Sequence, residues 1–232
     1  MPPPYADNSN AARRMRAKAS TLTRVWEEIR NEPADKREIV NGLCVAEHES
    51  RCGDAWPIPG ECNWGAGTLP AKKGLAFLTD AETAIVRSAG LTTDRPKGPQ
   101  FTQGEEDAVR AALRDAGARW LGLHRDHVPA TGHAYMVFFG AFEDDAAAAK
   151  YFLPSFYPGA RGAVTPEIVG GDDVSAVAFA MRANGYYTAS VESYVAALRG
   201  VEPGIVRALA EWDTSDPPLP MWPRASGGGG GA

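Results

Sequence analysis

The chain has 232 residues, 44% apolar and 23% charged, with a formal net charge of -5, which is enough to bury a substantial core as one domain with an insertion or as two small lobes. No apolar run approaches the roughly 20 residues needed to cross hydrocarbon, so no membrane partner is expected. The acidic balance gives no general attraction to nucleic acid or anionic lipid.

Residues 1 to 9, rich in proline and small polar groups, read as a disordered lead-in. Their Met-Pro-Pro-Pro-Tyr-Ala-Asp start lacks the basic and apolar regions of a secretory signal, which implies a removed leader or another route of export. Ser9 and Asn10 can cap a first helix with Met15, Leu22, Val25 and Ile29 at helical spacing, ended by Pro33. A second helix starts near Asp35, takes its apolar stripe from Ile39, Val40, Leu43 and Cys44, and breaks around Gly53. Residues 53 to 70 are a Gly- and Pro-rich loop. A short helix is expected at 80 to 89 and an amphipathic one from Gly104 to Ala116, with Val109, Ala112 and Leu113 as its buried side.

The middle of the chain changes period. Two runs rich in aromatic and branched residues, from Arg119 to His124 and from Ala134 to Gly140, read as a hairpin around a polar loop containing Pro129 and Gly132. Helices resume at Glu143 to Leu153, Asp172 to Ala183, Val191 to Leu198 and Gly204 to Trp212. A Pro-rich and then Gly-rich tail occupies 214 to 232. The fold class is therefore α+β, mostly α, with a small β-hairpin lobe.

The chemistry-bearing stretch is the end of the second helix, Cys44-Val-Ala-Glu-His-Glu-Ser-Arg-Cys, followed by Asn63-Trp-Gly-Ala. An amphipathic helix that ends on a Glu-Ser step and runs into a turn can present one carboxyl group. At 100° per residue Glu47 falls within the apolar stripe and Glu49 on the side of Glu38, Gly42 and Val45. Glu47 is thus expected to be the more desolvated carboxyl. Desolvation keeps a carboxyl protonated near neutrality, as a general acid requires. All three cysteines lie here. A Cys52–Cys62 disulfide would staple the turn and leave Cys44 free, while three reduced core thiols are the alternative. A metal site from Cys44, His48, Cys52 and Cys62, or from His124, His127 and His133 in the hairpin, is the less favoured reading, and neither metal nor cofactor is expected. Gly-x-Ser-x-Gly, P-loop and dinucleotide fingerprints do not occur.

Ala46-Glu-His-Glu-Ser-Arg-Cys-Gly with Asn63-Trp-Gly-Ala resembles the "ALESGWG … NLFG" stretch of bacterial and phage glucosaminidases of the lysozyme-like superfamily, the flagellar and autolysin type of peptidoglycan hydrolase. Two further blocks occur in the same order. The hairpin from His124 to Ala148 resembles the family's strand-to-helix segment, and Asn184-Gly-Tyr-Tyr-Thr-Ala-Ser-Val-Glu-Ser-Tyr is similar to its "GYATDPxYAxKL" ending, with Tyr186 and Tyr194 on the tyrosine positions. Arg51, Cys52 and Ala189 depart from the pattern.

The resemblance implies a single lysozyme-like catalytic domain over 10 to 213, with 75 to 118 as an insertion and 119 to 140 as the hairpin. It also implies Glu49, rather than the alternative Glu47, as catalytic acid. Asp126 in the hairpin loop is the candidate second carboxylate and Tyr186 a candidate hydrogen-bonding group beside Glu49. Trp56, Asn63, Trp64 and Tyr187 are candidates for substrate binding, the rings as platforms for pyranose faces. The implied activity is cleavage of peptidoglycan glycan strands at an N-acetylglucosaminyl bond, at the cell wall or on a virion. Muramidase or lytic transglycosylase chemistry remains open on the same scaffold. So does a non-catalytic wall-binding component of a phage tail or secretion assembly.

Overall fold

The computed structural model describes residues 6–52, 54, 64, 68–69, 80–117, 122–139, 142, 144–156, 164–187 and 189–222. The described chain is mostly helical with a small antiparallel sheet, and it divides into two compact units, residues 66–141 and the remainder.

The larger unit is built around helix α2 (Lys36–Ser50), entered through a capping box in which Asp35 accepts from the Arg37 N–H and Glu38 accepts from the Asp35 N–H at 2.9 Å. Nine consecutive residues, Glu38 to Ala46, are buried. A helix buried all round needs neighbours on every side. These are α1 (Asn10–Arg30), α5 (Asp145–Phe156), α6 (Pro166–Val169), α7 (Val174–Ala183) and α8 (Val191–Ala208). Gly42 is required by this packing, since a Cβ there would lie 3.0 Å from the Leu22 side chain and 3.5 Å from Phe156. Asn41 fixes α6 by donating to Val169 O (2.6 Å) and Gly171 O (3.0 Å).

Helix α1 starts where Ser9 accepts from the Ala12 N–H at 3.2 Å. Met15, Leu22 and Val25 are buried as the spacing predicts, whereas Ile29 is 46% exposed. The larger departure is that every residue from Met15 to Thr23 is buried, including Arg16 and Lys18. The Lys18 side chain is wholly inaccessible. Its ammonium donates to both Asp145 carboxylate oxygens (2.8 and 2.9 Å), to Asp54 (2.9 Å) and to Cys52 O (2.9 Å). Trp64 donates its indole N–H to the same Asp145 at 3.1 Å.

Other departures follow from local chemistry. The two helices expected at 191–198 and 204–212 are one, α8, running through Pro203. Proline removes one ladder bond, but Tyr194, Leu198 and Ile205 bury a continuous stripe across the break. Helix α5 starts two residues later than expected and continues past Pro154 to Phe156, which is fully buried. Short α6, with Pro166 in its first turn, had no sequence forecast. Leu219 of the tail donates to Ser20 Oγ at 2.9 Å, so that part of the tail is tied to α1.

In the smaller unit, β3 (Gly122–Val128) and β4 (His133–Phe139) pair antiparallel over their full length, from Gly122 opposite Phe139 to Val128 opposite His133. The turn between them ends on Gly132 at φ +69°, a glycine conformation. Because β3 occupies one edge of β4, the two-residue strands β1 (Thr68–Leu69) and β2 (Asp94–Arg95) share the other edge, giving a sheet three strands wide. Helices α3 (Asp80–Ser88) and α4 (Gln103–Asp115) pack on each other and α4 on β3, with Glu106 of α4 accepting from Arg125 of β3 at 2.9 Å. The expected hairpin is present, and its first strand, described from Gly122, runs to Val128, four residues past the expected end at His124. Asp126 and His127 consequently lie in a strand, not in the loop assigned to them.

Lys18→Met is expected to cost about 3–5 kcal/mol, because it leaves Asp145, 2% exposed, without its cation. Urea unfolding followed by circular dichroism measures this. A loss below about 1 kcal/mol would show that the network is not holding the unit together.

Candidate functional site

Helix α2 stops in a Schellman-type turn. Arg51 takes φ +52° and Cys52 φ +49°, and the Cys52 N–H reaches back to Ala46 O at 2.9 Å. Two successive non-glycine residues in the left-handed region are strained. Cations of α1 hold the turn: Arg14 donates to Arg51 O, and Lys18 donates to Cys52 O. Ser50 donates from Oγ to Trp64 O at 2.8 Å.

The three residues before that turn face different ways. Glu47 accepts from Arg14 at 2.9 and 3.3 Å. His48 is exposed, its ring edge-on to Tyr194 with centroids 4.9 Å apart. Glu49 is half-buried and accepts from the Tyr194 hydroxyl at 2.6 Å. Tyr194, 4% exposed, stacks on Tyr187 at 3.8 Å and 8°, and Tyr187 in turn donates from its hydroxyl to Ala178 O at 2.8 Å. The local sequence explains the clamp. Gly185 at φ +72° reverses the chain after α7, the Tyr186 N–H caps back onto Met181 O at 3.0 Å, and Ser190 caps α8 so that Tyr194 falls in its first turn.

Burial pushes the Glu49 carboxyl above its ordinary 4.5, and it does so against two opposing effects, the Tyr194 hydrogen bond and the nearby His48, both of which favour the ionised form. Tyr194 is driven far up by its own burial and by the Glu49 charge, so it remains a donor. Tyr186 is pushed up by burial and by the charges of Glu49 and Tyr151, placing its hydroxyl in the field of Glu49. Neutral Glu49 can therefore accept from Tyr194 on one oxygen and donate from the other. Once ionised, it keeps a stronger, charge-assisted bond to Tyr194.

The sequence-based candidates divide accordingly. Glu49 and Tyr186 interact electrostatically, and burial raises the Glu49 carboxyl, while Glu47, expected to be the more desolvated of the two, is paired with Arg14. Glu47 lies against Arg14, a partner 33 residues away that helical periodicity cannot see. Trp64 is fully buried and hydrogen-bonded to Asp145, so it offers no face to a sugar. Tyr187 has one face covered by Tyr194. Asp126 lies in β3 opposite Tyr135, within the smaller unit. Trp56, Asn63 and Cys62 fall outside the described residues. Cys44 and Cys52 are buried free thiols, Cys44 pushed up to about 12 and Cys52 well above its ordinary value, in both cases by burial first. Among the described residues no three His, Cys, Asp or Glu side chains group to hold a metal. The residue missed by sequence reasoning is Tyr194, whose only signal was its place on a tyrosine of the borrowed pattern.

Comparison with known protein families, with curated proteins and with solved structures finds no match to this chain.

By carbon NMR the Glu49 carboxyl should titrate above 4.5, and Tyr194→Phe should move the midpoint further up because the lost bond favours the carboxylate. A downward move would contradict the assigned balance. Since the native state holds this proton more tightly than the unfolded one, stability falls as pH rises from 4.5 through the raised native value. Glu49→Gln should abolish that fall in urea unfolding across the same window.

Proposed function

We propose that this protein is a peptidoglycan hydrolase that cleaves glycan strands with Glu49 as general acid, on a lysozyme-like arrangement of helices. The observation that carries the reading is a carboxyl at the end of a central buried helix, desolvated, with no arginine or lysine paired to it among the described residues, and fixed by one tyrosine hydroxyl. An acid for a glycosidic oxygen must hold a proton near neutrality and then tolerate its loss. Burial supplies the first property and the Tyr194 hydroxyl the second. In this scheme the free oxygen of Glu49 protonates the leaving group, and Tyr194 is a positioning residue that fixes the carboxyl rotamer and stabilises the carboxylate produced. Tyr186, in the field of Glu49, is the candidate to orient substrate or water. An N-acetylglucosaminyl bond is the preferred target.

The sequence pattern and the burial of Glu49 support this reading together, and each arose independently of the other. A wall-binding protein without turnover is the competing outcome of the same test. Wild type, Glu49→Gln and Glu47→Gln are incubated with purified peptidoglycan, following turbidity, soluble products and pelleted protein, with circular dichroism on each variant. Wild type should clear the suspension, Glu49→Gln should lose at least about 100-fold while folded, and activity should decline as pH rises through the Glu49 midpoint. Wild type that pellets with the wall yet releases no sugar would replace the hydrolase reading by binding. Loss of turnover in folded Glu47→Gln alone would move the acid to Glu47.

A further inference from the structure

Gly200 and Gly204 lie one turn apart inside α8, where glycine lowers helix stability and alanine would fit: a Cβ at either position meets no atom of the described residues within 4 Å. Packing among the described residues therefore gives no reason for either glycine. Both border a cavity of about 690 Å³ in the larger unit, between the start of α1, the end of α2 and α8. That volume is typical of small-ligand sites.

The walls define the chemistry of an occupant. Met15, Val201, Ile205 and Trp222 supply an apolar side. On the rim, Arg51 and Arg207 are exposed, and their guanidinium groups make no hydrogen bond or ion pair among the described residues. Of the two lining carboxylates, Glu47 is paired with Arg14, and Asp7 accepts from the Ser9 N–H at 2.9 Å and lies in the field of Arg16 and Arg207. Among the described residues the rim thus offers Arg51 with no carboxylate partner and Arg207 shared with the field of Asp7, on a chain of net charge -5. Arginine recognises carboxylate through paired N–H donors. Glu47, which borders this cavity, and Glu49 leave α2 in directions 200° apart at helical spacing, so the cavity is separate from the Glu49–Tyr194 pair.

We propose that this cavity is a second binding site, for a short peptide-like acid: an apolar side chain against Met15, Ile205 and Trp222, and carboxylate groups on Arg51 and Arg207. The site does not depend on the hydrolase reading, and its test does not use turnover.

Isothermal titration of the full chain with acetyl-Leu-Glu, with the same dipeptide amidated at both carboxyls, and with decanoate tests the assignment. The variants are Arg51→Gln/Arg207→Gln, Gly204→Leu and Gly200→Ala. Saturable binding of the acidic dipeptide is expected, weakened at least 10-fold by amidation and by the double arginine change. Gly204→Leu should abolish it while raising Tm, because the new side chain enters the cavity and removes a helix glycine. Gly200→Ala should also raise Tm and weaken binding. Equal binding of the diamide, full binding by Gly204→Leu, a lowered Tm in both glycine variants, or no saturable binding at millimolar peptide would each overturn the proposal. Decanoate binding more tightly than the dipeptide would overturn the peptide assignment and indicate a fatty-acid site.

Discussion

A single ammonium group organises the larger unit. Lys18 sits in the middle of α1 with no exposure, yet it touches the turn after α2 through Cys52 O, Asp54 beyond that turn, and the first residue of α5 through Asp145. Desolvating a lysine costs several kcal/mol, and the cost is recovered only when every donor is satisfied by well-placed acceptors. Asp145 is satisfied in turn by Trp64. A network of this kind contributes little net stability compared with an apolar core of the same shape, but it is intolerant of rearrangement. It therefore acts as a register pin that determines which turn of α1 faces which end of α2.

What that pin positions is the pair of acidic residues before the turn. Glu47 and Glu49 are two residues apart, so a helix sends them to opposite sides. On one side waits Arg14, which neutralises Glu47. On the other is an aromatic wall of Tyr194 and Tyr187, which removes water from Glu49 and returns one hydroxyl. The same residue type thus acquires two characters from its surroundings. The competition at Glu49 is decided by burial, the largest of the three effects on its carboxyl, with Tyr194 moderating the result. A lysine or arginine at the position of Tyr194 would reverse the outcome.

How much of this could be read from the sequence depends on how far apart the interacting residues are. Helical periodicity found α1, α2, α4 and α7 because each carries its own apolar spacing and its own cap. Examples are Ser9 for α1, Asp35 with Glu38 for α2, and Thr102 with Glu105 for α4. It split α8 at Gly200 and Pro203, because local rules count a proline as a stop while burial of Tyr194, Leu198 and Ile205 is a tertiary fact. It could not see the Arg14 that pairs with Glu47, because a stripe drawn on one helix ignores what lies opposite. The Tyr194–Glu49 bond spans 145 residues and the Lys18–Asp145 bond 127. No local window contains either. Trp64 was offered as a sugar platform for the same reason, since a tryptophan in a Gly- and Pro-rich loop gives no local sign that its indole is committed to Asp145.

The turn after Glu49 links stability to the site. Left-handed backbone at Arg51 and Cys52 costs on the order of 1–3 kcal/mol per residue and persists only where the surroundings over-determine it. Here they do so, with Arg14 and Lys18 holding the two carbonyl groups and Asp54 bridging both cations. A glycine at 51 would relieve the backbone, yet it would also remove a guanidinium that now borders the cavity beside Glu47. Arginine in a glycine conformation is therefore best understood as a strain accepted for its side chain, held in place by the same α1 cations that fix the end of α2. Loosening α1 should then relax the turn, the Glu49 rotamer and the cavity rim together, because all three depend on the same few charged contacts.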